Sequence, residues 1–247
     1  MSQDTPLKRM KLTYTHALWL LYACEEHPTL QVELRQTTPQ LRLLDAEQQL
    51  LAEAHLPWVF PPVHYTDNQA VYSPLPTLES FSQYVERLPQ GIPPHIILLI
   101  QAGNAALGYI EDGDILHHKV IRKYMVRKKQ GKAQVTHLNQ KGKSRLGSRI
   151  RLANTKAFFE EIHDKLVEWD VVDNADIILY SCPTKLWSLL YDAKTTLAWQ
   201  REDPRLQKIP THVHTPNFDE LQRIQTLSTQ ATLDIYTPAL YDMLPDL

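Results

Sequence analysis

The sequence predicts an α/β protein: a mixed sheet flanked by helices, with a basic Gly-x-x-Gln loop projecting from one edge and a smaller N-terminal α+β region in front. Three observations carry this. From Pro93-Pro94 onward, short apolar runs are separated by hairpin turn signals. Beyond residue 150, helical periodicity alternates with short apolar runs. All seven glycines lie between Gly91 and Gly147, whereas residues 1–90 have none and are punctuated by proline. The expected organisation is therefore an N-terminal region over 1–90, of unknown role, and a second region over 91–247.

In the first region, residues 12–24 are apolar and aromatic and fit either a helix or a strand. Residues 30–34 alternate as a strand does, and residues 40–44 can pair with them. Pro57, Pro61 and Pro62 mark a loop. Residues 77–88 read as a helix with Thr77 as N-cap and Phe81, Tyr84 and Leu88 on one face.

In the second region, residues 96–101 and 106–111 read as strands around the Gly103-Asn104 turn. Asp112-Gly113 is a hairpin signal, and residues 115–126 continue as extended chain. Asn154 is placed to cap a helix whose Phe158, Ile162, Leu166 and Trp169 share a face. Residues 175–180 form an apolar strand, and Thr184 caps a helix over 185–192. Residues 209–214 suggest one more short strand. Asn217 and Glu220 have capping-box spacing for a last helix.

Hydrophobic content of 43% and charge of 22% fit an ordinary globular chain. The longest apolar run, residues 17–24, falls far short of the roughly 20 residues of a spanning helix. The expectation is no membrane association, no signal peptide and a cytoplasmic location, with Cys24 and Cys182 as buried thiols.

The charge distribution is uneven. Residues 115–159 hold 13 of the 26 Lys and Arg residues and no Asp or Glu, leaving 13 basic against 28 acidic residues elsewhere. Such polarisation suits a polyanion. Gly131, Gly142 and Gly147 interleave with the cations, favouring close backbone approach, and Thr136, Ser144 and Ser148 add neutral donors. The candidate RNA-phosphate ligands are Arg122, Arg127, Lys128, Lys129, Lys132, Lys141, Lys143, Arg145, Ser148, Arg149 and Arg151. Tyr124 is the one aromatic at the centre of the cluster, too little for a base-stacking platform. Gly131-Lys132-Ala133-Gln134 combines small residues, which let backbone into a narrow site, with a glutamine that positions a water or hydroxyl rather than taking its proton.

The run from His118 through residues 123–134, with Arg127-x-Lys129-x-Gly131-x-x-Gln134 at its centre, resembles the catalytic core of the Vms-like release factors, relatives of the eukaryotic class-one peptide-chain release factors. The likeness continues through residues 147–151 and the helix ending at Trp169, and more weakly to the strand before Cys182-Pro183. It implies an RNase-H-like domain acting on peptidyl-tRNA in ribosome quality control, at the peptidyl ester or within the terminal CCA of the tRNA. It also implies that Gln134 is catalytic, in a loop begun by Gly131 and assisted electrostatically by Lys123. The family carries Arg where this chain has Lys123, which keeps the charge and loses bidentate geometry. The zinc finger and ankyrin repeats of eukaryotic members have no counterpart, which suits a bacterial member.

Other constellations read as structural. His117-His118 and His212-x-His214 lack further ligands at metal-binding spacing. Asp112 and Asp114 sit in a turn, where Asp is favoured for backbone reasons. Cys182 has no evident His partner. The reading is a metal-independent, cofactor-free hydrolase on peptidyl-tRNA or the tRNA 3′ end, working with the large ribosomal subunit. The alternative is a non-catalytic tRNA- or ribosome-binding module.

Overall fold

The computed structural model describes residues 5–35, 40–62, 65–66, 77–78, 80–125, 143–191 and 199–245, without the side chains of 65–66, 77–78 and 143–152. The chain divides into two units: Met1–Ile92 with Thr226–Leu247, and Pro93–Gln225.

The first unit holds an antiparallel sheet in the order β1 (Lys8–Leu12), β12 (Ala231–Ile235), β4 (Leu50–His55), β3 (Gln40–Leu44), β2 (Gln31–Arg35). The expected pairing of residues 30–34 with 40–44 forms as β2 against β3, with Val32 opposite Leu43. Strand β12 comes from the far end of the chain, so residues 226–247 join this unit rather than the one that sequence periodicity assigned them to. Its Asp234 is 3% exposed, and a carboxylate so buried needs a partner. Arg9 on β1 supplies a fork, Nε to Oδ1 at 2.5 Å and Nη2 to Oδ2 at 2.7 Å.

Residues 14–26 resolve to helix α1 (Tyr14–Glu26), because the Thr13 hydroxyl accepts the His16 N–H at 3.3 Å and caps it. Helix α2 (Phe81–Glu86) starts later than Thr77. Ser80 and Gln83 form a reciprocal capping box, and Thr77 belongs to the short strand β6 (Thr77–Leu78), paired with β5 (Tyr65–Thr66). A last short helix, α6 (Ala239–Met243), follows β12.

The second unit is a mixed sheet in the order β11 (Leu206–Lys208), β10 (Ile177–Ser181), β7 (His95–Gln101), β8 (Asn104–Glu111), β9 (Asp114–Arg122). Strands β7, β8 and β9 form an antiparallel meander, turning at Gly103 and at Asp112-Gly113 as the sequence predicts. Strands β10 and β11 add parallel to β7 through helices α3 (Lys143–Trp169) and α4 (Thr184–Tyr191). Central β7 is buried along all but its last residue, which is why it reads as a continuous apolar run.

One face of this sheet packs Ile96, Leu98 and Ile100 against Phe158, Ile162 and Leu166 of α3, the stripe read from the sequence. On helix α5 (Phe218–Thr229), Leu221 lies over Gly108, where a β-carbon would come within 3.0 Å of its Cδ2. The adjacent residues His117 and His118 separate the two faces: His117 stacks on Trp169 of α3, and His118 packs on Phe218 of α5.

In this unit too, elements differ from expectation. Helix α3 starts at Lys143, so Asn154 lies inside it rather than capping it. The strand expected over 209–214 is replaced by Leu206–Lys208. Ile209 still donates to the Tyr180 carbonyl at 2.9 Å, and Pro210, with no N–H, ends the ladder.

Candidate nucleic-acid interface

Strands β7, β9, β10 and β11 run in one direction, so Gln101, Arg122, Ser181 and Lys208 end at the same side of the sheet. The carboxyl side of parallel strands is where open α/β sheets bind ligands. Here it is also where the basic segment leaves the sheet. Residues 122–125 are fixed from two directions. From the β7–β8 turn, the Gly103 carbonyl accepts the Lys123 N–H at 2.9 Å. Gly103 has φ +82°, and a β-carbon there would run into the Lys123 carbonyl oxygen, so the position needs glycine on both counts. From α3, Asn154 Nδ2 donates to the Tyr124 carbonyl at 2.9 Å. Met125 then packs against the core. Tyr124 is 49% exposed at this point.

Lys123 is not the unopposed cation that the carboxylate-free sequence suggests. Glu161, two turns along α3 from Asn154, places Oε2 2.8 Å from its Nζ and Oε1 3.9 Å from Lys119 Nζ. All three side chains are about a third exposed, so each pairing contributes about 0–1 kcal/mol. Two lysines against one carboxylate leave the locality positive, and Lys123 oriented.

The N-terminal part of α3 carries the second basic stretch. Lys143, Arg145, Gly147, Ser148, Arg149 and Arg151 lie on helical backbone. The first turn contains no acidic residue. Cations at a helix N-terminus oppose its dipole by about 0.3–1 kcal/mol each, a cost that a bound anion removes. At 1.5 Å per residue, the helix runs on about 16 Å beyond the Asn154–Tyr124 contact. Of the remaining predicted site residues, Arg122 closes β9 and is exposed. Arg127, Lys128, Lys129, Gly131, Lys132, Gln134 and Lys141 lie outside the described residues.

A cluster that sequence reading missed stands at the same side of the sheet. Gln101 Nε2, at the end of β7, donates to the Val213 and His214 carbonyls at 3.1 and 2.9 Å. His214 turns to Glu220 at the start of α5: its N–H donates to Oε1 at 2.7 Å, and Nδ1 lies 3.1 Å from Oε2. Arg223 grips the same carboxylate through Nε at 2.9 Å and Nη2 at 2.7 Å. The Arg223 bonds, with the His214 N–H and ring, push the Glu220 pKa down to about 2 against its burial. Asn217 caps α5 as predicted, accepting the Glu220 N–H at 2.7 Å. The Glu220 carboxylate faces His214 and Arg223 in place of closing a capping box. The Asn217–Glu220 spacing located the helix start, but nothing in it announced His214.

The other candidates behave as structural groups. His117 and His118 point to opposite faces and do not converge on one ion. Among the described residues, no group of three or more His, Cys, Asp or Glu side chains is arranged to hold a metal. Both cysteines are free thiols, and burial pushes Cys182 up to about 12, which keeps it protonated. No helix among the described residues is long and apolar enough to cross a membrane.

The chain resembles known proteins over more than half of its length. It is 32% identical over 145 residues to the human (Homo sapiens) tRNA endonuclease ANKZF1, covering 57% of this chain and 20% of the relative. It is 29% identical over 157 residues to the mouse (Mus musculus) protein of that name, covering 62% of this chain and 21% of the relative. The chain thus spans about a fifth of the length of these relatives. Among solved structures, the Vms1 mitochondrial localization core aligns with a TM-score of 0.48 at 12% identity, over 86% of this chain and 92% of that one. Residues 95–235 match the profile of the Bacteroidetes VLRF1 release factors, more than half of the chain, and the chain belongs to that release-factor family.

Proposed function

We propose that this protein is a hydrolase of peptidyl-tRNA, or a nuclease of the tRNA 3′ end, acting in ribosome quality control at the large subunit. The observation that carries the reading is the joining of a cation-rich segment to the carboxyl side of the second unit's sheet, in a chain of a release-factor family. Its similarity to proteins named tRNA endonuclease supports tRNA as the polyanion.

In this reading, Arg127, Lys128, Lys129, Arg149 and Arg151 hold backbone phosphates, helped by Arg122, Lys132, Lys141, Lys143, Arg145 and Ser148. Gln134, in the loop begun by Gly131, orients the attacking oxygen or its substrate by hydrogen bonding. Lys123, held by Glu161 and by the Gly103 carbonyl, supplies fixed positive charge near the reacting group. The meander followed by two parallel strands, in the order β9-β8-β7-β10-β11, supports the RNase-H-like reading of this unit. The chemistry we assign needs no metal, because fixed cations and an oriented nucleophile provide it. The protein works in the cytoplasm, where its substrate is made.

Peptidyl-tRNA incubated with wild type and with Gln134→Ala tests this. Wild type releases the peptide at least 100-fold faster than the variant, the scale expected for removing one group that orients or stabilises the transition state. Both bind tRNA equally. Equal release by the two would end the assignment of Gln134. Binding without any release by wild type would favour the non-catalytic tRNA-binding module.

A further inference from the structure

The proposed site contains a glutamine and lysines, yet cleaving an ester moves a proton from the attacking hydroxyl to the leaving oxygen. Glutamine has no pKa for that task, and lysine and arginine are protonated at neutral pH. The described residues offer a group suited to it. His214 ends its own segment beside Gln101, on the side of the sheet where the basic segment departs. Gln101 pairs with Asn104, and Asn104 with Arg122, so two strand spacings separate the ends of β7 and β9, about 10 Å.

The surroundings of His214 prepare it. Glu220 is 6% exposed and ionised, so it only accepts hydrogen bonds, and Nδ1 must carry the proton between them. The neutral ring therefore keeps its lone pair on Nε2, and the side chain is 66% exposed. A histidine oriented by a buried carboxylate with its other nitrogen open is the recurring arrangement of a general base. Among the described residues, the charged and titratable neighbours are few. Glu220 and Arg223 face His214 from α5, and His212 lies on its own segment with ring centroids 5.2 Å apart. From β7 comes Gln101, which is uncharged. A structural latch between residues 212–217 and α5 needs only the backbone N–H of His214, the Arg223 fork and the bond from Arg223 to the His212 carbonyl.

We propose that His214, positioned by Glu220, is the proton-transfer group for the ester cleavage assigned above, on which this inference rests. Neutral His214 takes the proton of the attacking hydroxyl at Nε2, from water for a carboxylic ester and from water or the adjacent ribose for a phosphate ester. As it does so, that oxygen bonds to the carbonyl carbon or phosphorus of the ester. The bond from that centre to the leaving oxygen breaks with its electron pair. The imidazolium returns the same proton to the leaving oxygen, so the ring ends neutral and no further reactant is consumed. Carboxylic and phosphate esters present the same demand. The products tell them apart: an intact tRNA 3′ end for the first, a shortened one for the second.

The test is the pH–rate profile of single-turnover cleavage for wild type, His214→Ala and His214→Gln, with tRNA affinity measured alongside. The wild-type rate rises with pH and levels off. Both variants lose about 10²–10⁴-fold at neutral pH, lose that rise, and bind tRNA as wild type does. Added imidazole restores rate to His214→Ala, an effect that a structural role does not produce. Active wild type with an undiminished His214→Ala, or variants that keep the rise, would overturn this inference and leave the proposed function standing. An inactive wild type would overturn both.

Discussion

The two units have five-stranded sheets built on opposite plans. The first is wholly antiparallel and acidic, with 6 Lys and Arg against 13 Asp and Glu. The second is mixed and basic, with 20 against 15. An antiparallel sheet sends alternate strands to opposite ends and gathers nothing at either. In the second unit, four of five strands finish on one side, and there the basic segment leaves β9 beside the Gly103 turn and the His214–Glu220 pair stands. Parallel addition therefore does more than extend a sheet. It gathers strand ends at one place, the side to which we assign the chemistry.

The contrast can be broken element by element. The largest effect falls on the first unit. Deleting residues 226–247 removes β12 from between β1 and β4, splits the sheet and leaves Arg9 without Asp234. The expected outcome is loss of cooperative folding there, read as lost hydrogen-exchange protection in β1 and β4.

The next effect belongs to His95, which is fully buried at the start of β7 with Nδ1 2.8 Å from the Pro93 carbonyl. Burial lowers its pKa to about 4. The fold thus prefers the neutral ring. That contribution is complete above about pH 6.5 and is lost as pH falls through about 4. Between pH 7 and 4 wild type should lose about 3 kcal/mol more stability than His95→Leu, by urea denaturation at each pH. In the first unit, Arg9 holds Asp234 below the ordinary carboxylate range, so that ion pair persists to lower pH before protonation removes it.

The smallest effect compares two glycines. Gly103→Ala should cost roughly 2 kcal/mol or more, from positive φ and collision with the Lys123 carbonyl, and should displace residues 122–125. Gly91→Ala in the first unit meets nothing within 4 Å and should be neutral or slightly stabilising. Thermal melts of the two variants decide it.

Much of this was legible in local patterns. The β7–β8–β9 meander announced itself through its apolar runs and turn residues, and the α3 stripe through the spacing of Phe158, Ile162 and Leu166. Strand β4 was hidden because Leu-Leu-Ala-Glu-Ala-His has the composition of a helix; pairing on both sides makes it a strand. Membership of β12 in the first sheet was hidden because pairing across some 220 residues leaves no trace in periodicity. The basic segment was plain in the sequence. Glu161, the carboxylate that orients Lys123, was not, since it reaches back from the second half of α3. His214 was seen only as half of a metal pair, because its meaning depends on Glu220 turning back from a helix start.

The central claim is that the basic segment of the second unit, and no part of the first, holds tRNA. The most direct test is the salt dependence of tRNA binding by wild type, Arg149→Ala/Arg151→Ala and Arg35→Ala/Arg42→Ala. The first pair should weaken binding and reduce the slope of log K against log salt by about 1.4, the release of two counterions from single-stranded RNA. The second pair, on β2 and β3, should leave affinity and slope unchanged. Equal losses from both pairs, or none from Arg149→Ala/Arg151→Ala, would contradict the account.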